Sequence, residues 1–299
     1  MALGEHMDAM FRGSGVAIVT PFREGNIDWD AFARLIEFQI DNGTDCIVAL
    51  GTTGESATLT HEEKTAVARF VISEVAGRVP VMVGAGSNST AVAVESSKEM
   101  QDLGADSLLH VTPYYNKATQ GGLLAHYTTI ADAVEIPIVT YNVPSRTSTN
   151  LLPATLAELS EHPRIRGHKE ACGDLPQIME LFRLCRGKLA IWSGNDDHVY
   201  PMLALGGDGV ISVAAHIIPQ QMHDMVQLFL EGKTVAARTI QEAANPLIAH
   251  LFTEVNPIPV KAALSMMGLC EDELRLPLTP MTQDSRNVLR RAMTQYGLI

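Results

Sequence analysis

Short apolar runs alternate with longer amphipathic stretches over the first 230 residues of this chain, and this alternation limits the possible folds more than any other feature. Eight of the runs are rich in β-branched residues and nearly continuous in apolar character, as expected of strands buried on both faces. They lie at residues 16–20, 46–50, 79–83, 107–111, 137–141, 165–169, 190–193 and 209–213. An amphipathic stretch follows each run, so the sequence predicts eight consecutive strand–helix units.

The amphipathic stretches carry signals of helix initiation and helical period. Thr60 and Glu63 have the spacing of a capping box, and Val67 and Phe70 continue the pattern at helical spacing. Helices are also predicted at residues 28–42, 90–103, 122–134, 153–160, 175–182, 198–205 and 219–230. Eight regular units without a domain break favour an α/β fold of the (β/α)8 TIM barrel type, with a doubly wound parallel sheet as the competing interpretation.

The strand signal ends after residue 230, and the rest of the chain is helical in pattern. Helices are predicted there at residues 235–250, 256–268 and 282–297, with a proline-containing stretch at 276–280. We therefore expect three parts. They are a loose N-terminus at 1–12, a barrel at 13–230 and a C-terminal helical subdomain at 231–299 that packs on the barrel.

Charge and composition exclude several classes of partner. Acidic residues outnumber basic ones by 34 to 22, which gives a net charge of −12. Nucleic acids and anionic membranes select basic surfaces, so neither is expected as the main partner. No run of 18 apolar residues occurs, and the first ten residues lack the basic and apolar regions of a signal peptide. A cytoplasmic protein without a membrane partner is therefore expected.

The spacing of cysteines and histidines argues against a metal centre. Cys46, Cys172, Cys185 and Cys270 form no CxxC pair, and the ten histidines show neither HxH nor HExxH spacing. We expect a reduced chain that holds no metal.

Hydroxyl groups are concentrated where the active site of a barrel lies, at the C-terminal ends of the strands. After the second strand, the segment GTTGES at 51–56 places Thr52 and Thr53 between two glycines. This pattern suits a tight loop with amides exposed to a small anion, although plain turns between strand and helix often look the same. Tyr115 and Tyr141 stand at the ends of strands four and five. A single tyrosine there is more often a packing residue, but two at neighbouring strand ends can relay protons.

Lys169 is the strongest candidate for a reactive group. Of the seven lysines, six fall in predicted helices or polar turns, where a solvated charge is expected. Lys169 instead ends the sixth predicted strand, directly before Glu170. A lysine that points into a barrel is desolvated, which favours the neutral amine, and a neutral amine attacks a ketone to form an imine. The alternative is an ion pair with Glu170 or with another acid of the barrel.

Five segments at the predicted strand ends carry a resemblance to a known family. They are GTTGES at 51–56, VTPYYN at 111–116, YNVPSRT at 141–147, KEACGD at 169–174 and SGND at 193–196. With these segments in this order, the chain resembles the dihydrodipicolinate synthases, also called 4-hydroxy-tetrahydrodipicolinate synthases. These enzymes belong to the pyruvate-dependent lyase superfamily of N-acetylneuraminate lyase. The resemblance runs from about residue 13 to the C-terminus, and the arginine of YNVPSRT points to the synthases within the superfamily.

The resemblance implies roles for the proton-transferring residues. Lys169 would form a Schiff base with pyruvate, and Tyr141 would pass protons to and from the imine and the aldehyde. Thr53 and Tyr115 would complete a relay with Tyr141. Tyr115 would reach in from the neighbouring subunit of a tight dimer.

The resemblance also implies how the substrates are held. Thr52 and Thr53, with their amides, would bind the pyruvate carboxylate, and Gly194 and Ile211 would line the pyruvate pocket with backbone groups. Arg146 would sit at the mouth of the site and bind the carboxylate of aspartate-4-semialdehyde in the diaminopimelate and lysine pathway. The family implies a homotetramer made of two tight dimers and no cofactor.

Three departures from the family pattern are visible. His168 stands where an aliphatic residue is usual, and Cys172 stands where threonine is common. Ala214, Ala215 and His216 replace a threonine-like residue, a small residue and an asparagine. They leave the second-substrate pocket and the tuning of pKa values open.

Two other functions compete with the synthase. A sister lyase or aldolase would use the same pyruvate imine on a sugar acid or another aldehyde, but such enzymes usually lack Arg146 in this motif. A non-catalytic barrel that only binds a ligand would not need the full set of catalytic residues. That set is Lys169, Tyr141, Thr53, Tyr115 and Arg146.

Feedback inhibition by lysine is expected to be weak or absent. In lysine-sensitive relatives an effector pocket lies at the tight-dimer interface. The matching positions here are Ser56, Ala57, His61, Lys64, Asn88, Val92 and Tyr114. Val92 stands where a glutamate would pair with the effector's ammonium group, and Lys64 adds a like charge.

Overall fold

Eight parallel strands close into a barrel in the computed structural model, which describes residues 9–299. The strands β1 to β8 are Gly13–Ala17, Cys46–Ala49, Val81–Gly84, Ser107–Val111, Ile138–Asn142, Ile165–Glu170, Ala190–Ser193 and Gly209–Ser212. Strand β1 pairs with both β2 and β8, so the sheet has no free edge. The predicted (β/α)8 TIM barrel is confirmed, and the doubly wound sheet is wrong.

A helix follows each strand and packs outside the barrel. Helices α1 to α8 are Trp29–Asp41, His61–Val75, Thr90–Asp102, Gln120–Ala131, Pro153–Leu159, Leu175–Cys185, Val199–Ala204 and Pro219–Leu230. Helix α2 begins at the predicted capping box, in which Thr60 and Glu63 each accept a hydrogen bond from the other's backbone N–H. The C-terminal helical part consists of α9 to α11, which are Thr234–His250, Ile258–Met266 and Gln283–Tyr296. Within residues 9–299, no helix is long and apolar enough to cross a membrane.

Aromatic rings close the base of the barrel. Phe11 is buried and stacks on Trp192 of β7, with ring centroids 4.8 Å apart. Glycines make room for the two rings. A Cβ at Gly15 would lie 3.0 Å from the ring of Phe11, and one at Gly167 would lie 2.6 Å from Trp192. The lower end of the lumen is therefore filled with side chains.

The sequence prediction is wrong in three details near the N-terminus. Strand β1 spans Gly13–Ala17 rather than 16–20, because glycines that accommodate bulky neighbours carry no strand signal. The loose terminus expected over 1–12 does not include Phe11, which is core, while residues 1–8 lie outside the described residues. A hairpin of two two-residue strands at 22–27 is absent from the prediction, since strands this short have no detectable period.

His216 joins the end of β8 to the end of β1. Its Nδ1 donates to the carbonyl of Val213 at 2.8 Å, and its Nε2 accepts from the backbone N–H of Val19 at 3.0 Å. Burial lowers the pKa of His216 to about 4, so the ring is neutral at neutral pH. The departure at 214–216 thus has a structural role at the seam of the barrel.

One lysine outside the site contradicts the expectation of a solvated charge. Lys261 of α10 is fully buried, and its ammonium lies 2.5 Å from the carboxylate of Glu55. The helical pattern places Lys261 in a helix correctly, but it gives no sign of a partner more than 200 positions earlier in the chain.

Candidate active site

Lys169 lies on the inner wall of the barrel beside Tyr141. The two residues are register partners on adjacent strands, β6 and β5, and the side chains of both face the lumen. The Nζ atom of Lys169 is 4.3 Å from the centroid of the Tyr141 ring. Only 6% of Lys169 and 7% of Tyr141 is exposed, so both groups act in a largely dry environment.

The surroundings of Lys169 favour a neutral amine. Burial lowers the pKa of Lys169 from 10.5 to about 8, because the ammonium loses hydration. The charge of Asp196 opposes this shift, and the charge of Arg146 adds to it. About a tenth of such amines are neutral at pH 7, which is sufficient for attack on a carbonyl.

The carboxylate of Glu170 is held by groups other than Lys169. Its Oε1 accepts from the backbone N–H of Cys172 at 2.8 Å and from Nδ2 of Asn142 at 3.1 Å. Its Oε2 lies 3.3 Å from Nε2 of His168. Successive side chains of a strand point to opposite faces, so Glu170 and Lys169 diverge. The alternative of an ion pair between them is wrong.

Tyr141 retains its proton at neutral pH. Burial raises the pKa of its hydroxyl to about 12, although the charge of Arg146 and a hydrogen bond with the side chain of Thr52 lower it in part. A protonated phenol beside an amine can donate to a leaving hydroxide and take the proton back through a second hydroxyl.

The loop that follows β2 brings hydroxyls to the same lumen. Thr53 is buried, and its Oγ1 accepts from Nδ2 of Asn256 at 2.9 Å, which leaves the hydroxyl proton of Thr53 available for donation. Thr52 is half-buried and shares with Tyr141 the wall of a cleft of about 150 Å³. The structure thus brings Thr52 beside Tyr141 and holds Thr53 against Asn256.

Gly194 and Ile211 lie against the reactive lysine and the barrel interior. A Cβ at Gly194 would stand 2.8 Å from the Cβ of Ala171 and 3.0 Å from Cε of Lys169, so only glycine fits without displacement. Ile211 of β8 is fully buried in the same inner cluster as Tyr141. The absence of a side chain at 194 therefore leaves the space that the side chain of Lys169 occupies.

Arg146 stands at the opening of the barrel. It belongs to a single helical turn, Pro144–Thr147, which follows β5 and is absent from the sequence prediction. Arg146 is an exposed residue, and its Nη2 donates to the backbone oxygen of Asn256 at 3.4 Å. A guanidinium at this place can pair with a carboxylate that enters from solvent.

Tyr115 does not reach the site of its own chain. It is 88% exposed at the tip of the loop after β4, and its φ of 73° is in the left-handed region that non-glycine residues rarely adopt. The structure thus brings Lys169, Tyr141, Thr53 and Arg146 to one end of the barrel and leaves Tyr115 outside.

The sequence as a whole matches one known family. Residues 10–296 match the Dihydrodipicolinate synthetase family. The chain belongs to this family. A 4-hydroxy-tetrahydrodipicolinate synthase from Caldicellulosiruptor saccharolyticus is 52% identical, over 97% of this chain and 98% of its own.

Solved structures of the dihydrodipicolinate synthetase family have the same fold as this chain. A chloride-inhibited dihydrodipicolinate synthase from Acinetobacter baumannii, complexed with pyruvate, is 45% identical, has a TM-score of 0.95 and covers 97% of this chain and 100% of its own. A monomeric dihydrodipicolinate synthase variant is 43% identical, has a TM-score of 0.96 and covers 97% of this chain and 98% of its own. The chain is therefore an enzyme, a lyase with 4-hydroxy-tetrahydrodipicolinate synthase activity.

Two departures from the pattern of the dihydrodipicolinate synthetase family lie away from the reacting groups. His168 is fully buried between Oγ1 of Thr140, 2.8 Å from its Nδ1, and the carboxylate of Glu170. Burial raises the pKa of the Cys172 thiol to about 12, so Cys172 is not a nucleophile at neutral pH. Both residues hold Glu170 in place at the end of β6.

Two polar residues of the site are missing from the sequence prediction. Asp196 accepts from Oγ of Ser212 at 2.5 Å and from the backbone N–H of Ala214 at 2.9 Å, which ties the end of β7 to the end of β8. Its signal was present, because it ends the segment SGND. Asn256, which holds Thr53, has no such signal, since it lies among the C-terminal helices 203 positions away.

Proposed function

We propose that Lys169 carries the synthase activity by forming an imine with pyruvate, and that the derived enamine attacks aspartate-4-semialdehyde. The observation that supports this assignment is the amine of Lys169, buried, facing the lumen, with its pKa lowered to about 8 and with Tyr141 beside it. The relative from Acinetobacter baumannii contains pyruvate, which supports pyruvate as the first substrate.

The chemistry needs a nucleophilic amine and repeated proton transfer. The neutral amine of Lys169 adds to the ketone carbon of pyruvate, and the resulting carbinolamine loses water to give a protonated imine. The imine withdraws electrons from the methyl group, which loses a proton to give an enamine. The enamine carbon then bonds to the aldehyde carbon of the second substrate, whose oxygen takes up a proton, and the imine of Lys169 forms again. The amino group of the second substrate attacks the imine carbon, which closes the ring, breaks the bond to Lys169 and restores the free amine.

Tyr141 is the group that moves these protons in our proposal. It donates to the hydroxide that leaves the carbinolamine and later to the aldehyde oxygen. Thr53 and the partner subunit's Tyr115 connect Tyr141 to solvent. Thr52 and Thr53 supply amides for the pyruvate carboxylate, with Gly194 and Ile211 forming the opposite wall.

Arg146 selects the second substrate in our proposal. The guanidinium of this exposed residue pairs at the opening with the carboxylate of aspartate-4-semialdehyde, while pyruvate lies deeper, at Lys169. A sugar acid would present hydroxyls here, so Arg146 favours the synthase over a sister lyase.

The assembly belongs to the same proposal. Tyr115 is exposed in one chain and has no role there, which supports a tight dimer in which each chain completes the site of its partner. Two such dimers would form the tetramer implied by the sequence. No cofactor takes part in this scheme.

Borohydride trapping tests the assignment of Lys169. Incubation with pyruvate and borohydride should add one reduced three-carbon group to the chain, and peptide mapping should place it on Lys169. Lys169→Ala should remain folded and lose the adduct and most condensation activity. An adduct on another lysine, or none in an enzyme that condenses both substrates, would overturn the assignment.

Arg146→Ala tests the choice of the second substrate. The variant should raise the KM for aspartate-4-semialdehyde by about tenfold or more, because a charge-assisted pair is lost, and should leave pyruvate trapping nearly intact. If Arg146→Ala impaired pyruvate trapping as strongly as it impaired the use of aspartate-4-semialdehyde, the role given to Arg146 would be contradicted.

A further inference from the structure

Glu55 has an unusual backbone and a buried carboxylate two residues after Thr53. Its φ of 53° lies in the left-handed region, and only 4% of the residue is exposed. A non-glycine residue persists in such a conformation only where its surroundings hold it. Glu55 ends the loop that carries Thr52 and Thr53, so what holds Glu55 also sets the position of these two residues.

Lys261 supplies the charge that Glu55 needs. Its Nζ lies 2.5 Å from Oε1 of Glu55, donates to the carbonyl of Glu273 at 2.8 Å and lies 4.2 Å from the centroid of the Phe22 ring. Within residues 9–299, Oε1 of Glu55 has no hydrogen bond apart from this ion pair. Without Lys261 the carboxylate of Glu55 would remain buried with the backbone N–H of Arg275 as its hydrogen-bond partner and without an ion pair.

Two further residues of the C-terminal part hold the same segment. The backbone N–H of Arg275 donates to Oε2 of Glu55 at 3.1 Å, and its guanidinium pairs with both oxygens of Glu63, each at 2.6 Å. Asn256 donates to Thr53 at 2.9 Å. We call Asn256, Lys261 and Arg275 the C-terminal clamp.

A buried ion pair is a poor way to stabilise a fold, because desolvation of the two charges offsets most of their attraction. Apolar residues of the same size would stabilise this position at least as well. What an ion pair adds is direction, since each carboxylate oxygen of Glu55 is fixed by a different partner. Rotation of the loop would break both contacts at once.

We propose that Lys261, acting through Glu55, is a positioning residue that holds the 51–56 loop in the orientation that binds pyruvate. It does not touch the substrate. Its effect passes through the backbone of the loop to the amides and hydroxyls of Thr52 and Thr53. This inference rests on the proposed function, because it concerns the pyruvate pocket of that reaction.

Steady-state kinetics of Lys261→Met tests the proposal. The variant removes the charge and keeps the length of the side chain. We expect the KM for pyruvate to rise about tenfold and kcat to fall about tenfold, as for a binding group displaced by a fraction of an ångström. The KM for aspartate-4-semialdehyde should change less than about twofold, since Arg146 lies on another loop. Each kcat is divided by the fraction of sites that pyruvate and borohydride label, so that only competent sites are counted.

A double variant and a surface control separate positioning from stability. In Glu55→Gln with Lys261→Met no charge is buried without a partner, so most of the lost stability should return. The KM for pyruvate should stay about tenfold above the wild type, because the contact that orients the loop is still missing. Lys233→Met removes an exposed lysine that pairs with Glu231, and it should leave both KM values unchanged. If Lys261→Met does not fold, Glu55→Gln alone serves, with an expected rise of about threefold in the KM for pyruvate.

The failure of this inference differs from the failure of the proposed function. A Lys261→Met enzyme with a lower melting temperature but unchanged KM values per trapped site would overturn the positioning role. A double variant in which the KM for pyruvate returns to the wild-type value together with the stability would do the same. If wild-type enzyme formed no adduct with pyruvate, the proposed function would fail first.

Discussion

Lys169 owes its lowered pKa to its place in the barrel, because burial is the main cause of the shift. The neutral fraction should rise about tenfold per pH unit well below pH 8 and level off above pH 9. We therefore expect the rate of imine formation with pyruvate to rise about tenfold from pH 6 to pH 7 and to be flat between pH 9 and pH 10. Rapid mixing followed by borohydride quench measures this rate. A rate still rising above pH 9 would mean that Lys169 behaves as an ordinary lysine.

Gly194 is a second residue whose identity the site dictates. Gly194→Ala should place a methyl group 3.0 Å from Cε of Lys169 and displace the amine from its position for attack on the ketone. We expect kcat/KM to fall about a hundredfold with the fold retained, as for a displacement near 1 Å. Gly121→Ala is the matched control, because a Cβ at Gly121 meets nothing within 4 Å, and activity should be unchanged. Normal activity of Gly194→Ala would show that Lys169 has room to move.

The sequence places Lys169 and Tyr141 correctly at the residue scale because strand period and strand ends are local properties. Asn256 and Lys261 could not be found in this way. Their partners, Thr53 and Glu55, lie more than 200 positions away, and only the folded chain brings them together.

His216 holds two elements together, the end of β8 and the end of β1. Burial lowers its pKa to about 4 in the folded chain from the ordinary value of 6.5, so the unfolded chain binds more protons between these limits. Stability is therefore complete above pH 6.5 and is lost as pH falls towards 4, by up to about 1.4 kcal/mol per pH unit from this residue.

The variant His216→Asn should lose this acid sensitivity. We expect it to be less stable than the wild type at pH 7, because a seam contact is lost, and the difference should shrink at pH 5. Urea unfolding at pH 7, 6 and 5 measures the effect. His110, buried with its pKa lowered to about 3, acts in the same direction and remains in both proteins. A constant difference at all three pH values would refute the role of His216.

Element prediction succeeds where a segment has its own signal. All eight barrel strands and the eleven helices named above appear at or near their predicted positions, because apolar period and capping act over a few residues. Strand β1 is displaced because Gly15 leaves the space that Phe11 needs and Gly13 leaves the space that Asp45 needs, which are tertiary requirements. The helical turn at Pro144–Thr147 is too short to show a period.

Tyr115 is exposed, and its backbone lies in the left-handed region. We infer that one chain alone is an incomplete catalyst. We expect Tyr115→Phe and Lys169→Ala each to be inactive alone and active when mixed. In a mixed dimer one of the two sites keeps both an intact Lys169 and an intact tyrosine from the partner. Random exchange at equal concentrations should restore about a quarter of wild-type activity. No recovery, with exchange proven by native mass spectrometry, would count against a shared site.

The cleft around Lys64 and Val92, whose lining within residues 9–299 contains no acidic residue, bears on regulation of the enzyme. Both residues line one cleft with Ser96 and Tyr114, and Val92 is 48% exposed. An effector with an ammonium group would lose an opposite charge and meet a like one, at a cost of about 2–5 kcal/mol. We expect initial rates at saturating pyruvate to be unaffected by lysine below about 10 mM. Val92→Glu with Lys64→His should gain sensitivity, and inhibition of the wild type at sub-millimolar lysine would refute the expectation.

The stacked rings of Phe11 and Trp192 also determine the route by which substrates enter the barrel and products leave it. Because the base is filled, substrates reach Lys169 through the opening at which Arg146 stands, and products leave through the same opening. In our proposal pyruvate binds deepest, at Lys169, and would therefore bind first. If Arg146 binds the semialdehyde as we propose, a semialdehyde that binds before pyruvate would block the entrance. We therefore expect initial rates to fall when the second substrate is in excess and to recover as pyruvate is raised.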